Sequence, residues 1–166
     1  MEFEVIVEVP KGSRNKYEVN HETGIIHLDR ELFTATRYPA EYGYIEHTWA
    51  EDGDPLDVLV MLREPTFPGC RIRCRAIGIF AMQDEKGPDH KILAVPVWDQ
   101  RQGWFDLSDV PRPFLKEIAH FFDIYKDLEE GKATTVGDWT SREGAEEEIR
   151  RAQERYSARR QDEPEG

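Results

Sequence analysis

Three aspartates fall within six residues in the run Asp52-Gly53-Asp54-Pro55-Leu56-Asp57, which leads straight into the apolar segment Val58-Leu59-Val60-Met61-Leu62. A chain with this junction passes from a knot of negative charge into an apolar run of strand length. Carboxylates so close repel one another, and a fold tolerates that where the knot stays in water as an acidic turn or where a hard divalent cation neutralises it. A calcium-binding EF-hand is excluded. With Asp52 as loop position 1, position 12 is Arg63 where a bidentate Glu is needed, and Pro55 replaces an expected ligand. The remaining metal reading is a magnesium site whose ligands come from several strands and loops.

The chain has 166 residues, enough for one well-buried domain. A formal net charge of −12 argues against a general nucleic-acid or anionic-membrane surface. It leaves an anionic substrate open, because bound cations invert the sign of a local site. No stretch approaches a membrane span, and Met1-Glu2-Phe3-Glu4-Val5 lacks the features of a signal peptide. Cys70 and Cys74 have no second Cys or His pair to complete a zinc site, so they are expected as buried thiols sharing a strand face in a reduced, cytoplasmic protein.

Alternation predicts a strand over Phe3–Val9, with Phe3, Val5, Val7 and Val9 on one face. Lys16–Val19 and Ile25–Leu28 read as a hairpin around the turn Asn20–Gly24. Val58–Leu62 is a short continuous apolar run of strand length, and Ile72–Met82 alternates. Ile92–Trp98 is a further strand in which Pro96 signals an edge or a bulge. A helix is expected from about Pro113, with Phe114, Ile118, Phe121, Phe122 and Tyr125 at helical spacing. A second starts near Thr140, which has capping-box spacing to Glu143, and carries the narrow stripe Ala145, Ile149, Ala152, Tyr156. These elements make one α+β, mainly β, domain over residues 1–160, with residues 161–166 as a disordered tail.

Other polar residues add to the aspartate run. Glu8 ends a strand; Lys16 and Glu18 share a strand face; Arg30 follows a strand end. Tyr38, Tyr42 and Tyr44 are concentrated in what reads as a loop. Asp84, Glu85 and Asp89 form a second acidic cluster before Lys91, and Tyr125-Lys126 closes the first helix. The five histidines show no ligand spacing, and Arg71, Arg73 and Arg75 form a stripe on one strand face, expected to be solvated or in a subunit contact.

Taken together, these segments resemble the soluble family I inorganic pyrophosphatases from about Phe3 to Ala158. The strongest match is Asp52-Gly53-Asp54-Pro55-Leu56-Asp57-Val58; the others are Lys16-Tyr17-Glu18, Asp29-Arg30, Tyr38-Pro39 with Tyr42-Gly43-Tyr44, Asp84-Glu85 with Asp89 and Lys91, and His120-Phe121-Phe122 before Tyr125-Lys126-Asp127-Leu128-Glu129. The resemblance implies a small closed β-barrel of oligonucleotide-binding type flanked by two C-terminal helices, a homohexameric assembly, and Mg²⁺-dependent hydrolysis of pyrophosphate to two phosphates. It implies that Asp52, Asp57 and Asp89 hold one Mg²⁺ and that Asp57 shares in a second. Asp84 and Asp89, with Glu8 nearby, would bind ions arriving with the substrate. Lys16, Arg30, Tyr38, Tyr42, Lys91, Tyr125 and Lys126 would hold phosphoryl oxygens, and Glu18 and Glu85 would support them. Asp54 would orient or deprotonate the attacking water, with Asp89 as the second candidate.

The chemistry is coherent with those residue types. Phosphoryl transfer to water needs a strong nucleophile at neutral pH and compensation for charge on the phosphate oxygens. The proposed acids outnumber the proposed bases, so without cations the site repels its substrate. Mn²⁺ or Zn²⁺ are expected substitutes for Mg²⁺, and Ca²⁺ an inhibitor. Competing readings are a Mg²⁺- or Mn²⁺-dependent phosphohydrolase of nucleotides or polyphosphate, and a non-catalytic binding module of the same barrel type.

Overall fold

The computed structural model describes residues 1–100 and 103–162, and residues 163–166 of the expected tail lie outside them. Nine strands and two helices follow in chain order. β1 is Glu2–Val9, β2 Asn15–Val19, β3 Ile26–Glu31, β4 Glu41–Ile45 and β5 Asp57–Val60. β6 is Arg71–Asp84, β7 the short Gly87–Pro88, β8 Lys91–Pro96 and β9 Thr134–Thr140. The helices are α1, Arg112–Ile124, and α2, Arg142–Asp162. α2 therefore takes in the first two residues expected in the tail.

The barrel closes because β1 has a partner on each side. Val5 pairs with Ile45 of β4 and with Ile72 of β6, so the order β1-β4-β5-β8-β6 returns to β1 and leaves no open edge among these five strands. β2 and β3 form a separate hairpin. Gly43 sits at the β1–β4 crossing, where an added Cβ would lie 2.0 Å from the carbonyl oxygen of Ile6. Only glycine lets the two backbones approach so closely.

Helices cover two apolar clusters on opposite strand faces. Val58, Val60, Ile92 and Ala94 pack with Ala145, Ile149 and Ala152 of α2. Leu59, Leu93 and Val95 pack with Ile118, Phe121 and Phe122 of α1. Strands buried on both sides read as unbroken apolar runs, which is why β5 and β8 do not alternate. Each fully buried Val, Leu or Ile contributes on the order of 1.5–3 kcal/mol.

Bulges correct the expected faces. The β1–β4 register shifts between Val7 and Val9, so Val9 joins the α1 cluster while Val5 and Val7 join that of α2. A second shift between Ala76 and Gly78 breaks the alternation of β6: Ile72, Cys74, Ala76 and Ile79 face one cluster, and Ile77, Phe80 and Met82 the other. Pro96 is the last residue of a central strand rather than an edge, and Trp98 lies beyond that strand, exposed. Residues 41–45, read as loop, are strand β4, and β9 was not anticipated. Thr140 belongs to β9, so the residue before α2 is Ser141, to which the Glu143 carboxylate hydrogen-bonds. Cys74 is buried, but Cys70 precedes β6 and is only partly buried. The arginine stripe is charge-paired: Arg71 reaches Glu4 and Glu46, Arg73 reaches Glu2, and Arg75 stacks on Phe105. Among the described residues no helix is long and apolar enough to cross a membrane.

Candidate active site

The parallel β5–β8 pairing sets the centre of the site. Its first pair is Asp57 opposite Lys91, which places a carboxylate beside an ammonium at the barrel rim. Lys91 Nζ lies 2.5 Å from Asp57 Oδ2 and 2.5 Å from Asp89 Oδ1, and donates to the Tyr42 hydroxyl at 3.0 Å. Tyr42 in turn donates to Asp57 at 2.7 Å. The Lys91 side chain is 1% exposed. Burial alone would lower its pKa, but Asp57 and Asp89 together hold it well above the usual lysine value.

A cavity of about 400 Å³ opens over this centre and is lined by every residue named for the site from the sequence except Tyr38. Tyr38 is buried and packs against Tyr42 and Phe121, so its ring supports the wall from behind. The aspartate run forms the turn between β4 and β5. Asp54 N–H donates to the Asp52 carboxylate at 3.1 Å, and Gly53 adopts the left-handed conformation (φ 91°) that closes the turn. Asp84 ends β6 and Asp89 precedes β8, so the second acidic cluster reaches the same cavity across β7. Tyr125 and Lys126 enter from the C-terminal end of α1, where Lys126 Nζ lies 3.4 Å from Asp84 and 3.7 Å from Glu85.

The β2–β3 hairpin supplies the opposite wall. Lys16 pairs with Glu18 and Asp29, and Arg30 pairs with Asp29. Arg30 Nε lies 2.8 Å from Glu129 Oε1, and its Nη2 donates to Glu129 Oε2 at 3.2 Å. Glu8, at the β1 bulge, accepts from the Val19 backbone N–H at 3.0 Å and ties the hairpin to the barrel.

Sequence reasoning gave no role to Glu129, Asp29, Lys86 or Lys132. Lys86 Nζ is 3.6 Å from Asp54, and Lys132 Nζ is 3.1 Å from Glu85. Glu129 stands in the segment Tyr125–Glu129 that carries part of the resemblance, three residues after Lys126, but neither fact assigns it a partner. Its chemical purpose appears once Arg30 is seen against it. Asp29, Lys86 and Lys132 line the cavity and Glu129 stands behind Arg30, so that among the described residues nine carboxylates and six cations line the cavity itself.

The acids bear the marks of crowding. Burial and the nearby Asp57 charge push Glu8 up to about 7. Burial, with Asp89, Asp57 and Asp54 nearby, pushes Asp52 up to about 6 against the hydrogen bond from Asp54 N–H. Burial and Asp57 raise Asp89 as well, although Lys91 opposes them. Glu85 goes the other way: against the push of burial, its backbone hydrogen bond and the two lysines hold it at about 2.

This donor set suits Mg²⁺, a hard cation that keeps several waters and takes a few carboxylates together with substrate oxygens. Among the described residues no three Asp, Glu, His or Cys groups converge closely enough to cage an ion unaided, and Lys91 stands between Asp57 and Asp89. The fit is therefore to partly hydrated ions that share ligands with substrate, rather than to a closed protein cage.

A closed five-stranded barrel with a rim of carboxylates, lysines, arginine and tyrosines presents the groups that phosphoryl transfer requires. Residues 5–157 match the family model described as inorganic pyrophosphatase. The inorganic pyrophosphatase of Streptomyces coelicolor is 59% identical over 157 residues, covering 94% of this chain and 96% of that protein. That of Corynebacterium glutamicum is 52% identical over 162 residues, covering 95% of this chain and 100% of its own length. The crystal structure of the Thermus thermophilus inorganic pyrophosphatase superposes with a TM-score of 0.91 at 45% identity, over 94% of this chain and 91% of the other. The chain belongs to the inorganic pyrophosphatase family.

Proposed function

We propose that the chain hydrolyses inorganic pyrophosphate to two phosphates with Mg²⁺ as its metal, as one domain over residues 1–160, in the cytoplasm and as a homohexamer. The observation that carries the reading is the Asp57–Lys91–Asp89 centre, buried beneath a cavity whose walls alternate carboxylates with phosphate-binding cations. Asp52, Asp57, Asp84 and Asp89, with Glu8 beside them, would hold the ions. When bound, these would supply the positive charge that acidifies water and offsets the charge of pyrophosphate.

The chain's own groups then divide the work. Asp54 is more than half exposed and faces the open cavity, so it is the group placed to take a proton from the attacking water. Asp89 is buried and engaged by Lys91, which makes it a ligand before it is a base. Arg30 offers a planar fork to the phosphate and is held by its ion pair with Glu129, to which Nη2 donates. Lys16, Lys91 and Lys126 act as point charges. Tyr42 and Tyr125, both with hydroxyls raised well above the ordinary value by burial, stay neutral donors.

Phosphate release from pyrophosphate, measured with Mg²⁺, with EDTA, and with ATP replacing pyrophosphate, tests the reading. Release that requires Mg²⁺ and strongly prefers pyrophosphate is expected. A folded protein that releases no phosphate in Mg²⁺ would overturn it; equal turnover of ATP would move the chain to the broader phosphohydrolases.

A further inference from the structure

α2 does more than cover the barrel. Its stripe of small residues, Ala145 and Ala152 beside Ile149, is fully buried and brings the helix close to the segment that leads into the aspartate turn. Trp49, three residues before Asp52, has both backbone polar groups bound by that helix. Its N–H donates to the Ala152 carbonyl at 2.9 Å, and its carbonyl accepts from Arg155 Nε at 2.7 Å. Glu148, two helical turns earlier, accepts from Nη2 of the Arg155 guanidinium at 2.5 Å. The Arg159 guanidinium lies 4.1 Å from the centre of the Trp49 ring, and Tyr156 meets His47 edge-on at 5.3 Å. His47 has a positive φ of 58°, costly for a non-glycine residue and tolerated where the surroundings hold it.

From Trp49 the restraint passes directly into the turn. Ala50 N–H donates to the Asp54 carbonyl at 2.8 Å, and Gly53 N–H returns to the Ala50 carbonyl at 3.2 Å. Leu56 N–H donates to Thr48 Oγ1 at 2.9 Å. The aspartates thus stand on a short loop whose N-terminal side is anchored by Trp49 and whose C-terminal side is β5. A guanidinium that donates to a backbone carbonyl while a carboxylate locks it is a rigid, charge-assisted anchor.

We propose that Arg155 is a positioning residue for the carboxylates Asp52 and Asp54, acting through the Trp49 carbonyl and locked by Glu148. The proposal rests on the metal-binding role given above to Asp52. Site geometry held by supporting hydrogen bonds is lost by small displacements, so removing the anchor weakens ion binding before it changes the chemical step.

The test compares Arg155→Ala, Glu148→Gln and, as a control on the same helix, Arg151→Ala, whose side chain pairs with Glu147 instead. Hydrogen–deuterium exchange of peptides spanning residues 48–56 and calorimetric Mg²⁺ titration without substrate are read first. Arg155→Ala is expected to speed exchange of this segment about tenfold, with β5 and β8 unchanged, and to weaken Mg²⁺ binding about fivefold. In turnover, the Mg²⁺ requirement rises while kcat at saturating Mg²⁺ changes less than about twofold. Glu148→Gln moves the same readouts in the same direction by less, and reads the anchor even where Arg155→Ala lowers the folded fraction. Wild-type exchange and Mg²⁺ affinity in both variants would overturn the proposal. A wild-type enzyme inactive on pyrophosphate would instead sink the functional reading and leave the exchange result standing.

Discussion

The two walls of the cavity are built differently. The rim formed by β5 and β8 is buried almost throughout: all six residues of β8 are buried, and the Asp57–Lys91 pair is fixed by a parallel ladder inside a closed barrel. The β2–β3 hairpin opposite it has no buried residue and is a sheet of two strands. Its ties to the body near the site include the hydrogen bond from Val19 to Glu8, the ion pair of Arg30 with Glu129 and the edge-on contact of the His21 ring with Tyr44. An isolated hairpin is marginal by itself, so its position depends on such ties. The carboxylate wall is set by the core, whereas the cationic wall that would meet the phosphates is set by a few polar contacts. Under the function proposed above, the wall set by the core would space the ions, and the wall set by fewer contacts would meet substrate and products.

The largest effect comes from breaking the rigid wall at its seam. Gly43→Ala puts a methyl group into the Ile6 carbonyl, and loss of about 4 kcal/mol or more, with little soluble folded protein, is expected from chemical denaturation. Asp54→Asn leaves that wall intact; kcat is expected to fall about 10²–10⁴-fold while calorimetry finds Mg²⁺ affinity nearly unchanged. Lys91→Met leaves Asp57 and Asp89 facing each other without their cation. Metal-free stability is expected to drop by about 3–5 kcal/mol, with part recovered on adding Mg²⁺ during thermal melts. On the adjustable wall, Glu129→Gln releases Arg30. KM for pyrophosphate is expected to rise about tenfold while the melting temperature moves little, and a large stability loss would mean the hairpin is as firmly built as the rim.

The smallest effect is in pH, at the joint between the walls. The Glu8 carboxyl titrates at about 7 in the folded chain against 4.5 in the unfolded one. The folded state therefore binds this proton more tightly. The stability it contributes is complete below about pH 4.5 and is lost as pH rises through 7. Metal-free protein is expected to melt at lower temperature at pH 7.5 than at pH 5.5, and Glu8→Gln to flatten that slope. Because ions displace protons from Glu8 and from Asp52 at about 6, Mg²⁺ affinity is expected to strengthen over the same interval.

Much of this molecule was legible in its residues. The continuous apolar run after Asp57 gave a strand, the spacing of Ile118, Phe121 and Phe122 gave α1, and the residues named for the site, Tyr38 apart, line one cavity. Residues 41–45 escaped because a Pro- and Gly-flanked run of tyrosines carries turn signals, and only pairing to β1 and β5 makes it a strand. The faces of β1 and β6 were misread because a bulge adds a residue without marking the sequence.

By itself, then, the sequence determined which chemical groups the chain brings to a site: clustered acids that need cations, and cations and phenols that suit phosphate. Those are properties of side chains and of local periodicity, written residue by residue. Tertiary structure alone decided that Lys91 would stand between Asp57 and Asp89, that Tyr38 would be a buried support, and that Glu129 and Arg155 would hold a guanidinium and a loop in place. The Glu129 and Arg155 contacts join residues 99 and 106 positions apart, and no local preference encodes a distance that only a closed barrel and its packed helices set.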